Sequence, residues 1–345
     1  MSPLSGATVA ANGQVPLSWG WESHKARLCP DQQPNVDLGE ALFRAASREL
    51  GMSTSTQRWP SAAGVSKRFY RFSSGGFAVA AMDGTRRAAV YVRVWKCAND
   101  SIRAWAHASF AQAPVRSGEV YYTEDTRDVV SLVKRAAEAG NGSVVAVTVL
   151  RDPVEHFLSG WNEIAERETR RKDATEDIRW DVQRDPEGTF ERFVASLVAG
   201  VPQFPGQERG RVRSLPHVFA MSGVLVPLSR SASAGRTGIH LLYPQAAASL
   251  HDSAMEFPAL LSVAAPGTVP FHAISQQAVD ANVRTHPSGA DALGTYSASK
   301  AVFARSGPTA KALCALAALD YACFPDFALP TQCIPVLNHP DLLDL

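Results

Sequence analysis

The stretch Ser143–Trp161, SVVAVTVLRDPVEHFLSGW, decides how the fold is read. Its first part, Val144 to Leu150, is a short, unbroken, β-branched run, the pattern of a strand buried on both faces of a parallel sheet. The run ends at Arg151-Asp152-Pro153. Pro153 suits the first turn of a helix, where its missing N–H costs nothing, and Asp152 is placed to cap that helix. Phe157, Leu158 and Trp161 then form the apolar side of the helix. A strand tip therefore delivers an arginine, and a helix N-terminus follows at once. In open sheets with helices on their faces, anions bind at such points. Ser159, two turns along the helix, can offer its hydroxyl to the same anion.

The same residues carry a resemblance. Arg151-Asp152-Pro153, with Ser159 eight residues after the arginine, resembles the RDPxxRxxSxY motif of sulfotransferases that use 3′-phosphoadenosine 5′-phosphosulfate (PAPS). It is closest to the carbohydrate (Golgi-type) branch. In that family the arginine and the serine bind the 3′-phosphate, which implies those roles for Arg151 and Ser159. His156 stands where the family has a second arginine, and Trp161 where it has a tyrosine.

Upstream, Ala88 to Trp95 reads as a strand, followed by Lys96-Cys97-Ala98-Asn99-Asp100-Ser101 and a helix through about residue 112. Strand, short loop, hydroxyl residue and helix is the layout of a loop whose amides cradle an anion. The GxxxxGK[ST] signature of nucleotide triphosphatases is absent. The loop is similar to the family's 5′-phosphosulfate loop, VPKxGxTS, with Lys96 and Ser101 at matching positions. Ala98 and Asp100 replace its glycine and threonine. The resemblance implies that Lys96, Cys97, Ala98, Asn99, Asp100 and Ser101 line the 5′-phosphosulfate.

Glu119 to Asp125 reads as a further strand, and Asp128 to Ala139 as an amphipathic helix. The order βαβαβα predicts a parallel sheet with right-handed crossovers. Together with the resemblance, the expectation is an α/β protein: a three-layer sandwich with a mainly parallel central sheet and a P-loop-like phosphate loop. Residues 1–65 are expected to be a partly irregular N-terminal extension, and 66–345 the sulfotransferase-like domain. Arg68–Phe72 and Phe77–Met82 are read as a hairpin on an antiparallel edge, Gly238–Tyr243 as another strand, and Thr309–Tyr321 as the last helix.

Sulfuryl transfer resembles phosphoryl transfer in being a loose, in-line displacement governed by positioning and charge. Lys96 is the expected electrostatic catalyst at the leaving phosphate. Glu119 is the favoured general base, as a semi-buried carboxylate whose pKa can rise toward neutrality; Glu124 and His107 are the other candidates. The expected acceptor is a hydroxyl or amine of a carbohydrate or other small molecule, and the expected product nucleotide is adenosine 3′,5′-bisphosphate. Two rival readings are a P-loop-type, kinase-like nucleotide-binding enzyme and a non-catalytic binding protein of related fold.

Composition sets the outer bounds. A formal net charge of +1 over 345 residues gives no sign of bulk nucleic-acid binding. The nine histidines lack ligand spacing, so no metal site is expected. No run of about 18 apolar residues reads as a transmembrane segment. The N-terminus lacks the basic start and apolar block of a signal peptide, which favours the cytoplasm. Five cysteines, Cys29, Cys97, Cys314, Cys323 and Cys333, are too scattered for a disulfide scaffold. The expectation is unpaired thiols, with Cys323–Cys333 the pair an oxidising compartment would allow.

Overall fold

A computed structural model describes residues 18–32, 34–52, 65, 68–70, 78–82, 88–91, 94, 96, 120–123, 144–147, 150–170, 181–200, 215–223, 239–242, 291 and 293–344. Seven α-helices are described: α1 Ser18–Leu28, α2 Gly39–Glu49, α3 Pro153–Arg170, α4 Pro186–Val198, α5 Thr295–Ala304, α6 Pro308–Cys323 and α7 Ile334–Leu337. Five short strands accompany them: β1 Ala78–Met82, β2 Ala88–Tyr91, β3 Val120–Thr123, β4 Val144–Val147 and β5 Ile239–Leu242.

The core is organised around α6. Its sequence, PTAKALCALAALDYAC, is apolar nearly all round, and every residue from Ala312 to Ala322 is buried. A helix without a polar face needs partners on all sides. Here α1, α2, α3, α4, α5 and α7 all pack against it. Leu28, Leu42 and Phe43, from the segment read as an extension, are buried in the same cluster. On its other side α3 contributes Trp161, whose ring lies 4.7 Å from that of Phe193 and 5.7 Å from that of Phe190, both on α4. Gly160 lets α3 approach the 3₁₀ turn Leu215–Val218, since a Cβ there would come within 2.1 Å of the His217 carbonyl oxygen.

The expected α/β sandwich with a mainly parallel sheet is therefore corrected. The packed core among the described residues is helix on helix. The strands form one sheet in the order β3-β1-β2-β4-β5. Only β2–β4 and β4–β5 run parallel; β1 is antiparallel to both β2 and β3. Three strand–helix alternations were read as a continuous parallel array, but β1 inserts between β2 and β3 and divides it. Arg68–Tyr70 is helical rather than a strand, with Phe69 and Tyr70 buried and the Tyr70 hydroxyl donating to the Leu316 carbonyl at 2.8 Å. The expected helices at 101–112 and 128–139 lie outside the described residues, so the layers they were to form receive no support.

The cysteines are also corrected. Cys29 pairs with Cys323 and Cys314 with Cys333, at Cα separations of 5.3 and 5.0 Å. Both bridges start from α6. Cys323 and Cys333 are each bonded, but to other partners. The first bridge joins residues 294 apart in sequence, a closure that local spacing does not reveal. Cys97 lies outside the described residues.

Candidate functional site

Parallel register brings two of the sequence-selected cations to one edge. Tyr91 of β2 is opposite Val147 of β4. Lys96 follows the first by five residues and Arg151 follows the second by four, so both leave the C-terminal ends of neighbouring parallel strands. Lys96 has φ of 62°, a left-handed conformation that a non-glycine residue adopts only when its surroundings impose it.

Helix α3 begins at this edge. Asp152 caps it, one carboxylate oxygen accepting from the Glu155 N–H at 3.0 Å and the other from the Tyr321 hydroxyl at 2.9 Å. Burial pushes the Asp152 carboxyl above its ordinary range despite these bonds, and burial together with Asp152 raises the Tyr321 phenol. The neighbouring Asp320 carboxylate accepts from the backbone N–H groups of Met221 and Ser222 at 2.9 and 2.8 Å. Residues 320 and 321 of α6 thus hold two different segments in place. Burial pushes the Asp320 carboxyl up to about 6.

Each cation meets a carboxylate of α3. The Lys96 ammonium lies 3.0 Å from Glu163, with the two side chains 13% and 18% exposed. Burial raises the Glu163 carboxyl, but Lys96 and Arg167 outweigh it and hold the group down at about 2. The Arg151 guanidinium lies 3.8 Å from Glu155 and donates to the Tyr296 hydroxyl oxygen at 3.4 Å. Lys300 approaches Glu155 at 3.0 Å, and the Tyr296 hydroxyl donates to the same carboxylate. Burial opposes ionisation of Glu155, yet Tyr296, Lys300 and Arg151 together keep its pKa below the ordinary value. Glu155 and Glu163 are eight residues apart, about 12 Å along the helix.

Tyr296 and Lys300 arrive on α5. Gly294, with φ of 68°, makes the left-handed turn before this helix. Asp291 accepts from the N–H groups of Tyr296 and Ser297 at 3.0 and 2.8 Å, and the Thr295 hydroxyl donates to Asn162 of α3 at 2.5 Å. The sequence reading missed Glu155, Glu163, Tyr296 and Lys300. The i,i+4 spacing of Arg151 with Glu155, and of Glu163 with Arg167, was a legible signal. The meeting of Lys300 with Glu155, across 145 positions, had none.

Ser159 lies in α3 between the two pairs and is buried, 8% exposed. Cys97, Ala98, Asn99, Asp100, Ser101 and Glu119 lie outside the described residues, as do Glu124 and His107. Among the described residues no group of three His, Cys, Asp or Glu side chains is placed to hold a metal, and no helix is long and apolar enough to cross a membrane. Compared with protein-family models, curated proteins and solved structures, the chain matches none.

Proposed function

We propose that the chain is a PAPS-dependent sulfotransferase acting on a hydroxyl or amine of a carbohydrate or other small molecule. One observation carries this reading: Lys96 and Arg151 follow neighbouring parallel strands β2 and β4, and each meets a carboxylate of α3, Glu163 and Glu155 respectively. A guanidinium and an ammonium on one edge suit a ligand with two separate anionic groups. The RDP sequence with Ser159 at the right spacing is the second support.

PAPS supplies the activated sulfuryl group. Its S–O bond to the 5′-phosphate breaks as a bond from sulfur to the acceptor forms, and the bisphosphate leaves with the electron pair. Arg151 receives the 3′-phosphate. Lys96 faces the leaving phosphate, where negative charge grows, after exchanging Glu163 for the ligand. Glu119 takes the acceptor's proton.

The pairing of both cations with α3 carboxylates favours a second reading, a protein that binds nucleotides weakly and catalyses nothing. Release of adenosine 3′,5′-bisphosphate from PAPS, followed across a panel of glycans and small alcohols and amines, separates the two. The enzyme reading predicts acceptor-dependent release that falls about 10²- to 10³-fold in Lys96→Ala, the usual effect of removing one preorganised electrostatic donor. Absence of release with every acceptor, in a chain that still binds the bisphosphate, favours the binding protein.

A further inference from the structure

Three donors, Arg151 just before α3 and Tyr296 and Lys300 on α5, converge on one carboxylate that belongs to the chain itself. Arg151, Tyr296 and Lys300 all point at Glu155. We propose that they form a phosphate-monoester seat and that Glu155 is its built-in competitor, which the ligand must displace. The proposal rests on the reading above that Arg151 receives a phosphate, and it adds Tyr296 and Lys300 to that site.

Charge supports it. Arg151 and Lys300 carry two positive charges, and Glu155 returns one negative, leaving the cluster short by one. A phosphate monoester brings close to two negative charges and three acceptor oxygens, and so satisfies the cluster better than a carboxylate does. Position supports it as well. Glu155 is four residues after Arg151, in the first turn of α3, and its side chain is 31% exposed, so it can turn outward into water. Lys300, 51% exposed, is reachable from solvent. The donors themselves are held in place by Asp291 and by the Thr295–Asn162 bond that docks α5 on α3. The helix amide at Glu155 is already taken by Asp152, so the seat depends on side chains rather than on the helix end.

The test is calorimetric titration of the full chain with adenosine 3′,5′-bisphosphate, and separately with inorganic pyrophosphate, using wild type, Glu155→Gln, Lys300→Met and Tyr296→Phe. Thermal melts check that each variant is folded, and the exposed Lys300→Met keeps the test decisive if Glu155→Gln is not. Bisphosphate affinity is expected to rise about tenfold in Glu155→Gln and to fall at least tenfold in Lys300→Met, with a smaller fall in Tyr296→Phe. Bisphosphate binding that is equal in wild type and Lys300→Met, or in wild type and Glu155→Gln, overturns the seat while leaving the proposed function standing. Pyrophosphate binding strengthened in Glu155→Gln, with no bisphosphate binding in any variant, supports the seat and overturns the nucleotide reading. If neither wild type nor Glu155→Gln binds either ligand, both proposals are overturned.

Discussion

The assembly around α6 and the edge where Lys96 and Arg151 emerge are built on opposite principles. Around α6 the contacts are apolar, the helix is surrounded on all sides, and two disulfides fasten it to Cys29 and Cys333. At the edge, half-buried cations and carboxylates hold one another and leave side chains partly exposed. One region gains by excluding water and charge. The other holds its charges in ion pairs that stay partly exposed. Helix α3 belongs to both: Trp161 faces the core, while Glu155 and Glu163 face the cations.

The sharpest way to break this contrast is from the core side. Trp161→Ala should cost about 3 to 5 kcal/mol, as expected for emptying a buried aromatic site. Urea unfolding measures it, and a cost below 1 kcal/mol would mean that α3 is not packed as described. Removing the Cys314–Cys333 bridge as a double serine variant should cost about 2 to 5 kcal/mol, the usual loss for a native disulfide. Peptide mapping without reductant checks the pairing directly.

The pH dependence of stability sharpens the comparison further, because Asp320 in the core and Glu163 at the edge are shifted in opposite directions. Unfolded, Asp320 ionises near 3.8; folded, it keeps its proton to about 6. The folded state therefore binds the extra proton between these values, and stability from this group falls as pH rises through that window, by roughly 2 to 3 kcal/mol. Glu163 behaves oppositely. Its carboxyl is lowered from 4.5 to about 2, so its contribution is present above 4.5 and is lost as pH falls toward 2. Asp320→Asn should flatten the limb between pH 4 and 6, and Glu163→Gln the limb below 4.5, both read from unfolding midpoints. The smallest effect belongs to neither region: Asp185 caps α4 by accepting from Gly188 N–H at 2.9 Å, and Asp185→Ala should cost about 1 kcal/mol by thermal melting.

The local grammar of the chain was readable. Strand β4, the arginine at its tip, the Asp152 cap and a helix starting at Pro153 all follow from residue types at fixed offsets. So does the apolar side with Trp161. The global architecture was not readable from the same signals. A β-branched run declares a strand but not its neighbour, and nothing in Ala78–Met82 announces that it separates β2 from β3. Thr309–Tyr321 was readable as a helix, but not that other helices would cover it on all sides. At the site, the i,i+4 spacings of Arg151 with Glu155 and of Glu163 with Arg167 stood in the sequence but went unread, whereas Tyr296 and Lys300 reach it only through the docking of α5. Long-range closure is invisible to spacing, and the Cys29–Cys323 bridge shows the same limit.

The central claim is that Arg151 and Lys96 share one anionic ligand. The direct measurement is calorimetric binding of adenosine 3′,5′-bisphosphate, beside AMP and ATP, to wild type and Arg151→Ala. The account predicts that wild type prefers the bisphosphate, and that the variant loses about 2 to 5 kcal/mol, the usual cost of removing one partner of a buried charge-assisted contact. Equal binding of ATP and the bisphosphate, or an affinity unchanged in Arg151→Ala, would contradict it.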